Sequence, residues 1–242
     1  MAEVEEIIEG VEEALEGAEE GLDELPEEIR EEVEVAVAEA REEVSVLSKI
    51  QSELRAIIGI VPKFITKAIK FTSETVAVGA ILWGVNTALS KLLPHGDQQK
   101  IRHQQAVIKA LINVIKTETD MSQKTVNWLK EHKDDTVILD DEPVPLEALL
   151  DKYLTPISDA TDQAMAAAKA LQTELQYSGP PVGDTVKLIS AADAFLKGYS
   201  DLVTYVTQHQ QKFPQLESFP VKLPDIITLT VQIQTVRDLP LW

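Results

Sequence analysis

The chain has 242 residues, 44% of them apolar, which is enough to bury a substantial core, and it has no cysteine. The missing cysteines exclude a disulfide framework, a thiolate metal site and a cysteine nucleophile. The formal net charge of -19 is unevenly placed: residues 1–45 hold 18 Glu and 1 Asp against 2 Arg, and the other 197 residues carry 22 acidic and 20 basic side chains. An acidic leader on a nearly neutral body repels phosphate backbones, so a nucleic-acid partner is not expected. The opening residues MAEVEEIIEG lack a basic segment followed by an apolar run, so synthesis in the cytosol without a signal peptide is expected, with the final location left open.

Val4, Ile8, Val11, Leu15, Ala18, Leu22, Leu25 and Ile29 recur in steps of four and three, a heptad seam. Pro26 breaks or kinks it, and the pattern resumes through Val33, Ala36, Ala40, Val44, Leu47, Ile50, Leu54 and Ile57 as a second long helix. Glutamate flanks the first seam almost throughout, so parallel self-pairing of the leader would oppose like charges. An apolar surface with a positive rim suits it better.

Residues 61–71, VPKFITKAIKF, offer such a rim: Lys63, Lys67 and Lys70 share one helical face, with Phe64, Ile65, Ala68 and Ile69 on the rest. The uncharged run of sixteen residues, 75–90, follows directly. It amounts to about 24 Å of helix, short of the roughly 30 Å of bilayer hydrocarbon. Ala80, Gly84 and Ala88 form a small-residue stripe for close helix contact, with Trp83 beside it. Burial in a soluble core is favoured over membrane insertion for this run on length.

Pro94 and Gly96 end that helix, and residues 97–116 begin another with Ile101, Ile108, Leu111, Ile112 and Ile115 on one side, continuing or restarting through Trp128 and Leu129. TVIL at 136–139 reads as a short edge strand or extended loop between aspartates. Thr155 and Pro156 signal the start of a helix whose seam is Ile157, Thr161, Ala164, Ala168, Leu171 and Leu175. SGPPVGD at 178–184 is the clearest break. A last helix from Ile189 to Val206 ends before Pro214.

In the tail, Ile227, Leu229, Val231 and Ile233 alternate with Thr228, Thr230, Gln232 and Gln234, the period of a half-buried strand. Such a strand needs a partner, so pairing with another protein chain is expected through those four residues.

Four scattered histidines have no metal-ligand spacing, the carboxylates at 134–142 lack a calcium-loop pattern, and no phosphate-cradling or nucleophile motif occurs. No enzyme activity, cofactor, metal or small-molecule substrate is therefore expected. The reading is an all-α, elongated multi-helix bundle with coiled-coil-like N-terminal helices and one C-terminal β-strand. Its segments are an acidic leader (1–45), a helical body (46–213) and an extended tail (214–242).

Two functions fit that outline. The first is a structural or assembly protein that self-associates or docks on a larger particle, such as an accessory virion component, through its acidic helices and its strand. The second is a membrane-active protein, pore-forming or membrane-penetrating, that meets an anionic membrane through residues 61–93. Lys63, Phe64, Lys67, Lys70, Ala80, Trp83, Gly84 and Ala88 are the contact residues for membrane or partner.

Overall fold

The computed structural model describes residues 2–20, 22, 25–58, 63–93, 97–178 and 182–240. Seven α-helices carry the fold: α1 (Ala2–Glu20), α2 (Glu27–Ile58), α3 (Lys63–Leu92), α4 (Gln98–Glu131), α5 (Leu146–Ser178), α6 (Val182–His209) and α7 (Leu223–Asp238). The all-α bundle read from the periodicities is the architecture observed.

The heptad seam of the leader is buried along its length, with Val4, Ile8, Val11, Leu15 and Ala18 all facing inward from α1. After the break, the Pro26 carbonyl accepts from the backbone N–H of Ile29 and Arg30 and so opens α2. The lysine helix and the apolar run are one continuous helix, α3, because nothing between Lys63 and Leu92 interrupts the hydrogen-bond ladder. It is the central element and packs against α1, α2, α4 and α5. α5 packs on α6, and α7 fills the groove between α6 and α4, closing the far side. A single apolar cluster runs through all seven helices, from Val4 to Val236.

α4 begins with a side-chain cap, Asp97 accepting from the backbone N–H of Lys100 at 3.2 Å. TVIL is indeed a strand, β1 (Thr136–Leu139), paired antiparallel with β2 (Glu142–Pro145), so that Val137 faces Val144. The tight turn between them puts Asp140 and Asp141 at φ 51° and 67°, a left-handed conformation that Asp tolerates better than most residues.

Two expectations are corrected. α5 starts at Leu146 and not at Thr155, with Pro156 inside the helix. Leu146, Leu150, Leu154 and Ile157 continue one buried line past the proline, and this packing offsets the backbone bond that Pro156 cannot make. α6 approaches closely just there, since a Cβ on Gly198 would lie 2.7 Å from Ile157 Cγ1.

The second correction is the C-terminal strand: residues 223–238 form helix α7, so Ile227, Leu229, Val231 and Ile233 do not pair as a strand. The segment carries two periods at once. Its alternation suits a strand, but Ile226, Leu229, Ile233 and Val236 also follow a helical spacing, and these four are buried. Helix wins because Pro224 sits in the first turn and the Asp225 carboxylate accepts from the Lys222 backbone N–H at 2.8 Å, which caps the start. The TVIL strand, the one internal candidate partner, already pairs with β2. Ile227 and Val231 consequently point outward.

Candidate functional site

α3 is long and apolar enough to cross a membrane over Ile65–Leu92, at mean hydropathy 1.3, and 78% of its most apolar window is buried inside the bundle. Its polar groups are largely satisfied within the helix itself. Thr72, Thr75, Thr87 and Ser90 each donate to the carbonyl four residues earlier, at 2.8, 2.8, 3.0 and 3.1 Å. This back-bonding hides hydroxyls without help from neighbours, a property a helix needs if its surroundings are to change. Ser73 and Ser90 also bond outward, to Gln51 of α2 and from Gln105 of α4, both at 2.8 Å. Asn86 is the exception: it is fully buried, and neither amide atom has a partner among the described residues.

The lysine face is turned to α5. Lys67 bonds the Asp151 carboxylate and donates to Thr155 Oγ1 at 2.9 Å. Lys70 sits 2.7 Å from Asp162 and 3.4 Å from Glu74, and Thr161 donates to Glu74 at 2.9 Å. Both ammonium groups are thus occupied inside the chain. Lys63 and Phe64 lie in the first turn of α3, and their side chains fall outside the described residues.

Of the remaining expected contacts, Ala80 and Trp83 are buried, whereas Gly84 and Ala88 are half-buried. Gly84 lies under α1: a Cβ there would stand 3.3 Å from Val11 Cγ2, so the missing side chain lets the leader helix sit close. The structure therefore brings Gly84 and the leader seam together. Trp83 faces a different neighbour, the Lys116 ammonium of α4, 5.5 Å from its ring centroid. A cleft of about 380 Å³ between α2 and α4 opens beside Trp83, flanked by Glu39, Glu43, Lys109 and Lys116.

α1 is apolar toward α3 and acidic outside. It holds nine glutamates and no basic residue. Three of these are paired: Glu3 with Lys169 of α5, Glu5 with Arg55 at 2.5 Å and Glu19 with Arg41 at 2.8 Å. Glu6, Glu9, Glu12, Glu13, Glu16 and Glu20 have no ion pair among the described residues. α2 is linked across α3 to α4 by long side chains, Glu32 to Arg102 at 2.9 Å, Glu39 to Lys109 at 4.0 Å and Glu43 to Lys116 at 2.6 Å. These pairs are solvent-exposed, so each contributes about 1 kcal/mol at most. The attachment of the acidic hairpin rests mainly on its buried seam.

Sequence reading missed the buried polar cluster between α4 and α6. Glu118 is fully buried, its Oε1 has no partner among the described residues, and burial pushes its carboxyl up to about 8. Two turns further along α4, Thr125 Oγ1 and Tyr199 Oη lie 3.0 Å apart, and burial raises the Tyr199 phenol. The signal was present: extending the α4 seam from Leu111 and Ile115 by helical steps lands on Glu118, Ser122, Thr125 and Leu129. No group of three or more His, Asp or Glu able to hold a metal occurs among the described residues. The chain matches no known protein family, no curated protein and no solved structure.

Proposed function

We propose that this chain is a non-enzymatic, membrane-active helical protein that carries the apolar helix α3 in soluble form and exposes it when the acidic α1–α2 hairpin lifts away. The observation that supports this best is the seating of α1. A helix with nine glutamates, six of them unpaired among the described residues, covers the Gly84 face of a helix with membrane-spanning length and hydropathy. Like charges spaced three and four apart along α1 repel, which makes the cover the least secure wall around α3.

Residues 71–90 span about 30 Å as a helix, the thickness of bilayer hydrocarbon, with Lys70 and Lys91 at the ends to reach the headgroups. Glu74 is the one charged residue within that span, and Lys70 stands one turn before it as a neutralising partner. The membrane contact is apolar in this reading. In the closed bundle Lys67 and Lys70 are held by aspartates of α5, and the leader's charge opposes anionic lipid, so the lysines are free for headgroups only after α3 has left α5.

Vesicle flotation tests the reading. The full chain is compared with Val11→Asp/Leu15→Asp, which places two charges in the seam beneath α1. The variant should float with zwitterionic vesicles, and less well with anionic ones, while the intact chain stays in solution. A folded variant that remains in solution with both would overturn the proposal.

The assembly reading keeps one specific support after the loss of the C-terminal strand, an outward apolar line on α7.

A further inference from the structure

α7 is apolar on two faces. Its inner face fills the groove between α4 and α6, while Leu223, Ile227 and Val231 stand 62%, 54% and 59% exposed on the opposite side. Their spacing of four sets them in one line along the helix, which continues through Gln234 to Asp238. Thr228, Thr230 and Thr235 flank the line, so no charge interrupts it between its two ends. The acidic hairpin packs elsewhere, on α3, leaving this face clear of the leader's repulsion.

The ends of the line carry charges of the wrong sign for their own helix. Lys222 is the N-cap residue, at the positive end of the helix dipole, and its ammonium donates to the Glu217 carbonyl at 3.1 Å, with no ion pair among the described residues. Asp238 closes the C-terminal end, where the dipole is negative, and accepts from Gln234 at 2.7 Å. Asp225 in the first turn and Arg237 in the last match the dipole, whereas Lys222 and Asp238 lie against it. In an antiparallel pair of copies both become favourable, because each charge meets the opposite charge and the opposite dipole end of its neighbour.

We propose that α7 is a self-association surface that joins two copies of this chain antiparallel about a two-fold axis. Ile227 of each copy packs against Val231 of the other, and Leu223 reaches toward Thr235. In this register Asp238 of one copy lies about 3 Å along the axis from Lys222 of the other, within a lysine's reach. A two-fold contact uses the same patch on both copies, as a self-complementary line of this kind requires. Three apolar side chains per copy bury less than the roughly 1,200 Å² of a stable complex, so the dimer is weak, with a Kd on the order of 0.1 mM. The contact does not depend on the release of α3, and its test uses no lipid, so either proposal can fail without the other.

Sedimentation equilibrium of the full chain from micromolar to millimolar concentration should show a monomer–dimer equilibrium. Ile227→Asp, on an exposed position that leaves folding intact by circular dichroism, should weaken it about tenfold or more. Lys222→Asp and Asp238→Lys should each weaken it several-fold, although each improves the match to its own helix dipole and should raise monomer stability slightly. The double variant Lys222→Asp/Asp238→Lys should recover dimerisation. A wild-type monomer at all concentrations, a dimer indifferent to Ile227→Asp, or a double variant no better than the singles would overturn the proposal.

Discussion

Glu118→Gln is the sharpest probe of the packing around α4. The Glu118 carboxyl is enclosed with one oxygen unpartnered among the described residues, and burial moves it from the usual 4.5 to about 8. Ionisation in the unfolded chain therefore begins near pH 4.5, whereas the folded chain resists it up to about pH 8. The stability associated with this group is complete below the lower value, falls as pH rises between the two and levels off above the upper one. With about 1.4 kcal/mol for each tenfold change in acid dissociation, the loss is about 3 kcal/mol at pH 7 and approaches about 5 kcal/mol at high pH. Glutamine keeps the shape and removes the ionisation. Urea titrations of both proteins at pH 5 and above pH 8 should show similar stability at the lower pH and a variant several kcal/mol more stable at the higher. Repulsion within the acidic leader also grows with pH, but it is common to both proteins and cancels in the comparison. Parallel pH profiles, or a variant weaker at every pH, would refute the reasoning.

Gly198→Ala should destabilise the chain by about 1–2 kcal/mol in urea titration, because its new Cβ meets Ile157 Cγ1 at 2.7 Å and the helix-propensity gain of about 1 kcal/mol recovers only part of the overpacking cost. Asn86→Leu should stabilise the soluble fold by about 1–3 kcal/mol in the same assay, since it replaces a buried amide with no partner among the described residues by an apolar side chain of the same branching. Glu9→Gln/Glu13→Gln/Glu16→Gln should tighten α1 by about 1 kcal/mol, read as slower hydrogen exchange of α1 amides. The same change should follow added salt, because unpaired glutamates outnumber paired ones on this helix.

The helices were legible wherever one apolar period dominated. The α1 seam, the break before α2 and the long α4 could be read from spacing and from proline, because each helix buries one face and wets the other. In α3 the lysine-bearing stretch and the uncharged run read as separate segments, although a change of composition does not interrupt a backbone ladder. α7 failed for the opposite reason: apolar on two faces, it offers a strand-like alternation that no single-face argument can reject, and the cap at Asp225 decided it. The partners of Lys67 and Lys70 were not legible, since Asp151 and Asp162 lie more than eighty residues away and only the fold brings them close. Gly84 was marked as a point of close helix approach, but the sequence could not say that the approaching helix is the chain's own leader.

A reversible lock between α1 and α3 tests the central claim most directly. The chain has no cysteine, and a Cβ on Gly84 would stand 3.3 Å from Val11 Cγ2, the position a cysteine sulfur would take, close to the sulfur-to-Cβ distance across a disulfide. Val11→Cys/Gly84→Cys should therefore bond the cover to the helix beneath it. At low salt, where repulsion among the α1 glutamates is unscreened and the cover of the unmodified chain opens, unlike in the salt of the flotation test, leakage of zwitterionic vesicles should be absent while the bond is intact and should rise on reduction to the level of the unmodified chain. Equal leakage from the oxidised and reduced protein, or none from either, would contradict the claim that α3 acts on release of α1.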